Sequence, residues 1–162
     1  MRSSHALLLG LTMLVSTRCH GQAKCPWINE TTAHGILGGD VSMAVKLTER
    51  GGGVCEFSRS VGKTNLQLSI SVYIMTDTLA QFSKYLEQCP PKSALLRAIG
   101  NEAVSCSLSK RGQYIERVVS RVRDQAFIVS VSSSAADDPS MTEEMRRKKA
   151  NLVAEQVAGI LF

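Results

Sequence analysis

Residues 66–74 read LQLSISVYI, and their apolar and polar side chains alternate without a break. Alternation with a period of two is typical of a β-strand that has one face in a core and the other near water. A strand of this length rises about 3.3 Å per residue and spans roughly 30 Å, the width of a small domain. The other predicted elements can therefore be arranged around this strand.

Two more strand patterns precede this segment. Alternation over residues 41–48 predicts a first strand, and residues 54–58 predict a second. Glycine-bearing turns at residues 50–53 and 62–65 join the three. Short turns between consecutive strands are typical of an antiparallel meander.

A weak internal repeat predicts a second set of strands. Leu-Gly-Gly-Asp at residues 37–40 is echoed by Ile-Gly-Asn-Glu at residues 99–102, and strand patterns follow both. In the second copy the strands cover residues 103–108, 114–123 and 126–132. The last of them carries Phe127, Val129 and Val131 on one side, which matches Leu68, Ile70 and Val72 in the first set.

Helical patterns separate and flank these strands. Residues 26–37 predict a helix with Pro26 at its first position and a glycine C-cap, and residues 77–89 predict one ended by Pro90. Residues 93–99 predict a short helix. The capping-box sequence at residues 140–143 opens a long C-terminal helix. Its predicted apolar stripe comprises Met145, Leu152, Val153, Val157, Ile160 and Leu161.

The order of these elements predicts the fold class. Helix, three strands, helix, three strands and helix favour an α+β protein with an antiparallel sheet of about six strands in two three-strand units. We expect the N-terminal, central and C-terminal helices to pack on the apolar face of this sheet.

The N-terminus has the pattern of a secretory signal peptide. Arg2 precedes an apolar run at residues 6–15, and small residues lead to Ala23. We expect residues 1–23 to be cleaved and residues 24–162 to form a single disulfide-bonded α+β domain that is secreted or periplasmic. Lipidation of Cys19 stays an alternative, although Arg18 rather than a small residue precedes it. Asn29 lies in a sequon, so glycosylation is also open.

Cysteine usage agrees with export. Removal of the signal leaves Cys25, Cys55, Cys89 and Cys106, an even number. Two disulfides are expected, with three possible connectivities. The preferred pairing joins Cys25 to Cys55 and Cys89 to Cys106, since each bond would tie a helix end to an inward strand position. Four buried thiols are the alternative.

Charge and hydropathy exclude several classes of partner. The predicted mature chain carries 17 basic and 14 acidic residues, because Arg2 and Arg18 leave with the signal, and its net charge is +3. This charge is too small to predict nucleic-acid binding. No other apolar run reaches the roughly 20 residues of a membrane span. A monomer without a transmembrane segment is expected.

Catalytic and metal-binding patterns are weak. The predicted mature chain has one histidine, His34, and no Cys-x-x-Cys pair. We expect His34 on the surface of a helix rather than in a catalytic site. The acid pairs at residues 137–138 and 143–144 fit a turn and a helix start. Residues 146–149 are all basic but wrap one helical turn, with Glu143 and Glu144 as ion-pair partners. The sequence predicts no metal site and no cofactor.

Three arginines on one strand are the candidate ligand-binding residues. Arg117, Arg121 and Arg123 share a face with Ile115 and Val119, and which face meets the helices is open. If the arginine face is exposed, it forms a basic stripe that could hold a carboxylate, a sulfate or an acidic partner.

These segments together resemble a broad class of small exported bacterial proteins. The resemblance lies in Leu-Gly-Gly-Asp, Ile-Gly-Asn-Glu-Ala, the arginine-rich strand, the last hairpin and Ala-Glu-Gln-Val-Ala at residues 154–158. The class includes lipoproteins of unknown function and the extracellular sensor domains of some bacterial Ser/Thr kinases. It implies an antiparallel sheet with helices, disulfides and a ligand cleft, and it supplies no site residues. The chain departs from it by lacking a clear lipobox and a transmembrane segment.

The sequence therefore predicts an exported, non-catalytic ligand-binding or sensor-like domain whose ligand is an unknown small molecule or acidic partner. One alternative is a secreted hydrolase with an unidentified site. Another is a protein-interaction module that uses a sheet edge or the arginine-bearing strand.

Overall fold

The computed structural model describes residues 23–91 and 93–162, so most of the predicted signal peptide, including Cys19, lies outside the described residues. Three helices and seven strands follow one another along the chain. They are α1 (Glu30–Leu37), β1 (Ser42–Leu47), β2 (Gly53–Val61), β3 (Thr64–Ile74), α2 (Thr78–Leu86), β4 (Ala94–Leu96), β5 (Glu102–Lys110), β6 (Gln113–Val122), β7 (Gln125–Ser133) and α3 (Glu143–Leu161).

All seven strands form one antiparallel sheet in the order β1-β2-β3-β7-β6-β5-β4. The α+β class, the antiparallel sheet and the three helices predicted from the sequence are confirmed. The strand at residues 66–74 is confirmed as β3, which lies third in the sheet and begins two residues earlier than predicted, at Thr64.

The pairing of β3 with β7 joins the two halves of the sheet. Its register places three apolar pairs directly opposite one another: Leu68 with Val131, Ile70 with Val129, and Val72 with Phe127. All six side chains are fully buried. The residues that matched between the two predicted strand sets therefore contact one another directly across β3 and β7.

The prediction of a short helix at residues 93–99 is wrong. Residues Ala94–Leu96 form β4, an edge strand that pairs with β5, and this raises the number of strands from about six to seven. Alanine and leucine favour helices, but pairing with an existing sheet edge overrides such local preference in a three-residue segment. Leu95 is 80% exposed because it has nothing to pack against at this edge.

The helices cover both faces of the sheet, whereas the sequence predicted that they cover one. We call the face that carries Leu68 and Ile70 the first face, and α1 and α3 pack there. The opposite, second face is covered by α2 alone, whose Phe82 packs with Val119 and Ile128. Strands β6 and β7 are buried on both faces, so their alternation of apolar and polar residues is weak.

Helix α1 begins four residues later than predicted. It starts at Glu30 rather than at Pro26, because the Asn29 side chain caps it by accepting a hydrogen bond from the Thr32 backbone N–H at 2.8 Å. Its predicted end is confirmed, since Gly38 adopts a left-handed conformation with φ of 79°.

Helix α3 begins at Glu143, the last residue of the predicted capping box, so Ser140 is not its N-cap. Its N-cap is Thr142, whose Oγ1 accepts from the Met145 backbone N–H at 3.3 Å, and Ser140 instead bonds Asp138 in the preceding turn. The predicted apolar stripe is also rotated, because Leu152 is 58% exposed. The alanines on this helix let it approach the sheet closely. Its buried face comprises Arg146, Ala150, Val153, Ala154, Val157 and Ala158.

Two disulfides have the pairing preferred from the sequence. Cys25 is bonded to Cys55 with a Cα–Cα distance of 5.8 Å, and Cys89 is bonded to Cys106 at 5.6 Å. The first lies against the core of the first face and ties the chain before α1 to β2. The second lies on the second face and ties the chain after α2 to β5. Within the described ranges, no helix is both long enough and apolar enough to span a bilayer.

The second glycine motif of the weak repeat has a tertiary role. Gly100 has a φ of 67°, and the next residue, Asn101, donates its backbone N–H to the Arg121 carbonyl at 2.7 Å. Ser120 Oγ donates to the Ile99 carbonyl at 3.0 Å. A Cβ at Gly100 would overlap the Arg121 carbonyl oxygen. The motif therefore holds the chain entering β5 tightly against β6.

We expect Gly100→Ala to destabilise the protein much more than Gly112→Ala. Both glycines have a positive φ, which costs alanine about 1–2 kcal/mol, but the Cβ at Gly112 would enter open space. The overlap at Gly100 adds roughly 1–3 kcal/mol to the loss in free energy of unfolding. Urea denaturation of both variants measures the difference, and equal losses would contradict the tertiary role of Gly100.

Candidate functional site

Two of the three predicted ligand-binding arginines, Arg117 and Arg121, lie on β6 and point to the second face, near α2 and the turn that follows it. The Arg121 guanidinium lies over the Phe82 ring, 5.7 Å from its centroid, and its Nη2 is 4.0 Å from Glu102 Oε2. Arg121 Nε is buried and has no hydrogen-bond partner in the part of the chain that the structure describes. Arg121 thus contributes to the packing of α2 on the sheet.

Arg117 is held by its neighbours on the same face. Its Nε donates to Ser130 Oγ at 3.1 Å, and its Nη1 is 3.4 Å from the Gln88 carbonyl oxygen and from Gln88 Oε1. Burial lowers the pKa of the guanidinium from its ordinary value. Part of the arginine's hydrogen-bonding capacity is therefore already used by the fold.

Arg123 lies outside β6, and its backbone carbonyl oxygen is 3.4 Å from Arg121 Nη1. It follows the end of β6, in the turn to β7, with a φ of 53°, and its backbone N–H donates to Asn101 Oδ1 at 2.8 Å. The three arginines thus do not form one open stripe, since α2 lies over Arg121 and the turn after α2 holds Arg117. Their role in ligand binding stays a prediction.

The first face carries a buried acid that the sequence interpretation missed. The Glu116 side chain is 3% exposed and lies opposite Ser107 of β5 and Val131 of β7. Arg147 of α3 reaches it, with Nε 3.4 Å from Glu116 Oε2. Burial raises the pKa of the Glu116 carboxyl, although its hydrogen bond with Ser107 and the charge of Arg147 act in the opposite direction.

Glu116 lines a polar pocket of about 250 Å³, which we call the Glu116 pocket. Strands β4, β5 and β6 form one side of it and the first turns of α3 the other. Arg147 Nη2 donates to Glu143 Oε1 at 2.7 Å and is 3.4 Å from Ser107 Oγ. The pocket therefore presents a carboxyl group, a guanidinium and hydroxyls together. Its lining residues are Ala94, Ser105, Cys106, Ser107, Glu116 and Arg147.

A second polar cavity of about 410 Å³ adjoins the start of α3. Glu143 lines it, while its ion-pair partner Arg147 lines the Glu116 pocket. Arg146 also lines it but is almost fully buried, with Nη1 donating to the Met141 carbonyl at 2.6 Å. The basic turn at residues 146–149 is therefore not solvent-exposed at Arg146.

The predicted ion pairs of this segment are confirmed. Glu143 pairs with Arg147 at 2.7 Å, and Glu144 pairs with Lys148 at 2.8 Å. The other acid pair also has a structural role, since Asp138 Oδ1 accepts from the backbone N–H and the hydroxyl of Ser140. These bonds lower the Asp138 pKa.

His34 lies on α1, with Nδ1 3.3 Å from Asp40 Oδ1, and it does not line the Glu116 pocket. The side chain is about half exposed, as the helix-surface prediction expects. Over residues 23–91 and 93–162, no group of three or more His, Cys, Asp or Glu side chains is placed to hold a metal ion.

A sequence signal for Glu116 did exist. Glu116 has the same strand parity as Val118, Ser120 and Val122, so it lies on the side of β6 that faces the core. Its partner Arg147 is 31 residues further along the chain, and only the packing of α3 on β6 brings the two together. The sequence could thus have shown that the acid shares a face with two valines, but not that it lines a pocket.

Comparison with protein-family models, with curated proteins and with solved structures finds no match for this chain. The resemblance to exported bacterial lipoproteins and kinase sensor domains therefore stays a prediction.

We expect Glu116→Gln to change how stability depends on pH. The unfolded carboxyl titrates near 4.5, and the folded one titrates higher because it is buried. As the pH rises from 4 to 7, the unfolded state loses its proton first, so the wild type should lose stability relative to Glu116→Gln. Urea denaturation at pH 4, 5, 6 and 7 measures this difference.

Glu144→Gln is the matched control. Glu144 is exposed, and its ion pair with Lys148 lowers its pKa, so the wild type should gain stability relative to this variant over the same pH range. If the stability difference between wild type and variant changes with pH in the same direction for both variants, the buried state of Glu116 is contradicted.

Proposed function

We propose that this chain is an exported, non-catalytic binding domain that takes a small zwitterion, such as a free amino acid, in the Glu116 pocket. One observation carries the proposal: a carboxyl group and a guanidinium, Glu116 and Arg147, line the same polar pocket of about 250 Å³. A zwitterionic ligand carries the two complementary charges.

The contact between Glu116 and Arg147 leaves room for such a ligand. Their distance of 3.4 Å exceeds the 2.7–2.9 Å that is typical of a charge-assisted hydrogen bond, so neither group is saturated by the other. Arg147 can donate to a ligand carboxylate, and Glu116 can accept from a ligand ammonium group. The hydroxyls of Ser105 and Ser107 can donate to or accept from either end.

The size and surroundings of the pocket favour a small ligand. Its volume lies just below the 300–1,000 Å³ of sites for drug-sized molecules. The Cys89–Cys106 disulfide anchors one lining residue, Cys106, to the chain that follows α2, and this favours a preformed wall. The two disulfides are consistent with an extracytoplasmic location, where such bonds persist.

A hydrolase is the second candidate, and one observation favours it. A buried carboxyl with a raised pKa beside a serine hydroxyl is a common feature of acid–base sites. Incubation with esters and amides of the amino acids, followed by product analysis, separates the two, since a hydrolase would convert them into products.

Isothermal titration of the purified protein with the common amino acids, and with matched amines and carboxylic acids that each lack one charge, tests the proposal. We expect an amino acid to bind at least tenfold more tightly than either matched compound. Glu116→Gln and Arg147→Met should each weaken binding about 10- to 100-fold, because each removes a charged hydrogen-bond partner.

Lys148→Met is the control, because Lys148 neighbours Arg147 in sequence but pairs with Glu144 outside the pocket. Its affinity should equal that of the wild type. Equal binding of the singly charged compounds, or affinity unchanged in Glu116→Gln, would overturn the proposal. Product formation that depends on Glu116 would support the hydrolase instead.

A further inference from the structure

Strand β1 ends the sheet and leaves one backbone edge open. It pairs with β2 on one side, and no other strand among the described residues pairs with it. Ser42, Ala44 and Lys46 are exposed, whereas Met43 and Val45 are half-buried. An open edge of this kind is a template for pairing with another chain.

The direction of the free backbone groups follows from the turn after β1. The Thr48 backbone N–H donates to the Gly52 carbonyl at 2.8 Å, and β1 continues the same register with β2. In an antiparallel ladder the hydrogen-bonded positions alternate. Ser42, Ala44 and Lys46 therefore bond toward β2, and the N–H and C=O groups of Met43 and Val45 point away from the sheet.

We propose that β1 pairs antiparallel with β1 of a second copy of this chain, around a two-fold axis at Met43. In this register each Met43 lies opposite the other, and Val41 lies opposite Val45. Asp40 lies opposite Lys46, and this pair occurs twice by symmetry. The ladder uses only the outward-pointing backbone groups, as the hydrogen-bond pattern requires.

The side chains of β1 are complementary to themselves in this register. Met43 and Val45 lie on the first face, where they pack only against their own core, so the second copy would cover their open side. Asp40, just before β1, is exposed apart from its contact with His34, and Lys46 is exposed on the face opposite Met43. In an extended strand Asp40 has the same parity as Lys46, so both side chains share that second face. Shifting the register by two residues in either direction places Lys46 opposite Ser42 or Gly38 and loses both ion pairs.

This charge complementarity favours a second copy over an unrelated peptide. Any extended peptide could bond the free backbone groups, but the reciprocal pairing of Asp40 with Lys46 requires both residues on both strands. A cavity of about 310 Å³ lies beside β1, and Met43, Ile28 and Cys25 line it. A flexible methionine from the second copy can fill such a space.

The dimer is an alternative to the monomer predicted from the sequence, and sedimentation velocity over a concentration series decides between them. The wild-type protein should dimerise reversibly. Lys46→Asp and Asp40→Lys should each weaken dimerisation about tenfold or more, because each replaces two attractions by two repulsions. The double variant D40K/K46D should restore the wild-type dissociation constant to within about threefold, a recovery that only direct opposition of the two residues predicts.

Two further variants separate this edge from other surfaces. Val45→Pro removes an outward N–H without breaking a bond to β2, so it should abolish the dimer and keep the circular dichroism spectrum of the folded protein. Leu152→Glu alters an exposed apolar position on α3 and should leave dimerisation unchanged. A monomer at all concentrations, failure of the double variant to recover, or loss of the dimer in Leu152→Glu would each overturn the proposal.

Discussion

The pairing of β3 with β7 is the constraint on which the rest of this structure depends. These strands are consecutive in the sheet but about 60 residues apart in the chain, and three opposed apolar pairs align them. A shift of one residue would turn Leu68, Ile70 and Val72 away from the core, so burial specifies the register strongly. Once this register is set, the three-strand meander and the β4–β7 half form one continuous sheet, and the helices have surfaces on which to pack.

The position of β6 in that sheet explains why its charged side chains are covered by other elements. Strand β6 lies beside the joining pair and is covered by α3 on the first face and by α2 on the second. Its alternating charged residues are therefore covered on both sides: Glu116 by α3, Arg121 by α2, and Arg117 by the turn that follows α2. Burial of charge is costly unless it is paired, and the Arg147 contact partly compensates Glu116. The proposed ligand would complete that compensation.

Prediction from the sequence succeeded where a pattern was local and strong. The strand at residues 66–74, the glycine end of α1 and the ion pairs of Glu143 and Glu144 depend on spacings of two, three or four residues. It failed where a distant segment supplied the deciding contact. Residues 94–96 form a strand only because β5 offers them an edge, and Leu152 is exposed because alanines bring α3 closest to the sheet.

The sequence by itself determined the α+β class, the antiparallel strands and the inward side of β3, since alternation in a strand is a property of neighbouring residues. Tertiary structure alone decided which helix covers which face, that Arg146 is buried, and that Glu116 and Arg147 share a pocket. These outcomes depend on the docking of α2 and α3 against strands far away in the chain. Side-chain volume and the register of the whole sheet set that docking, and no short window of sequence contains either of them.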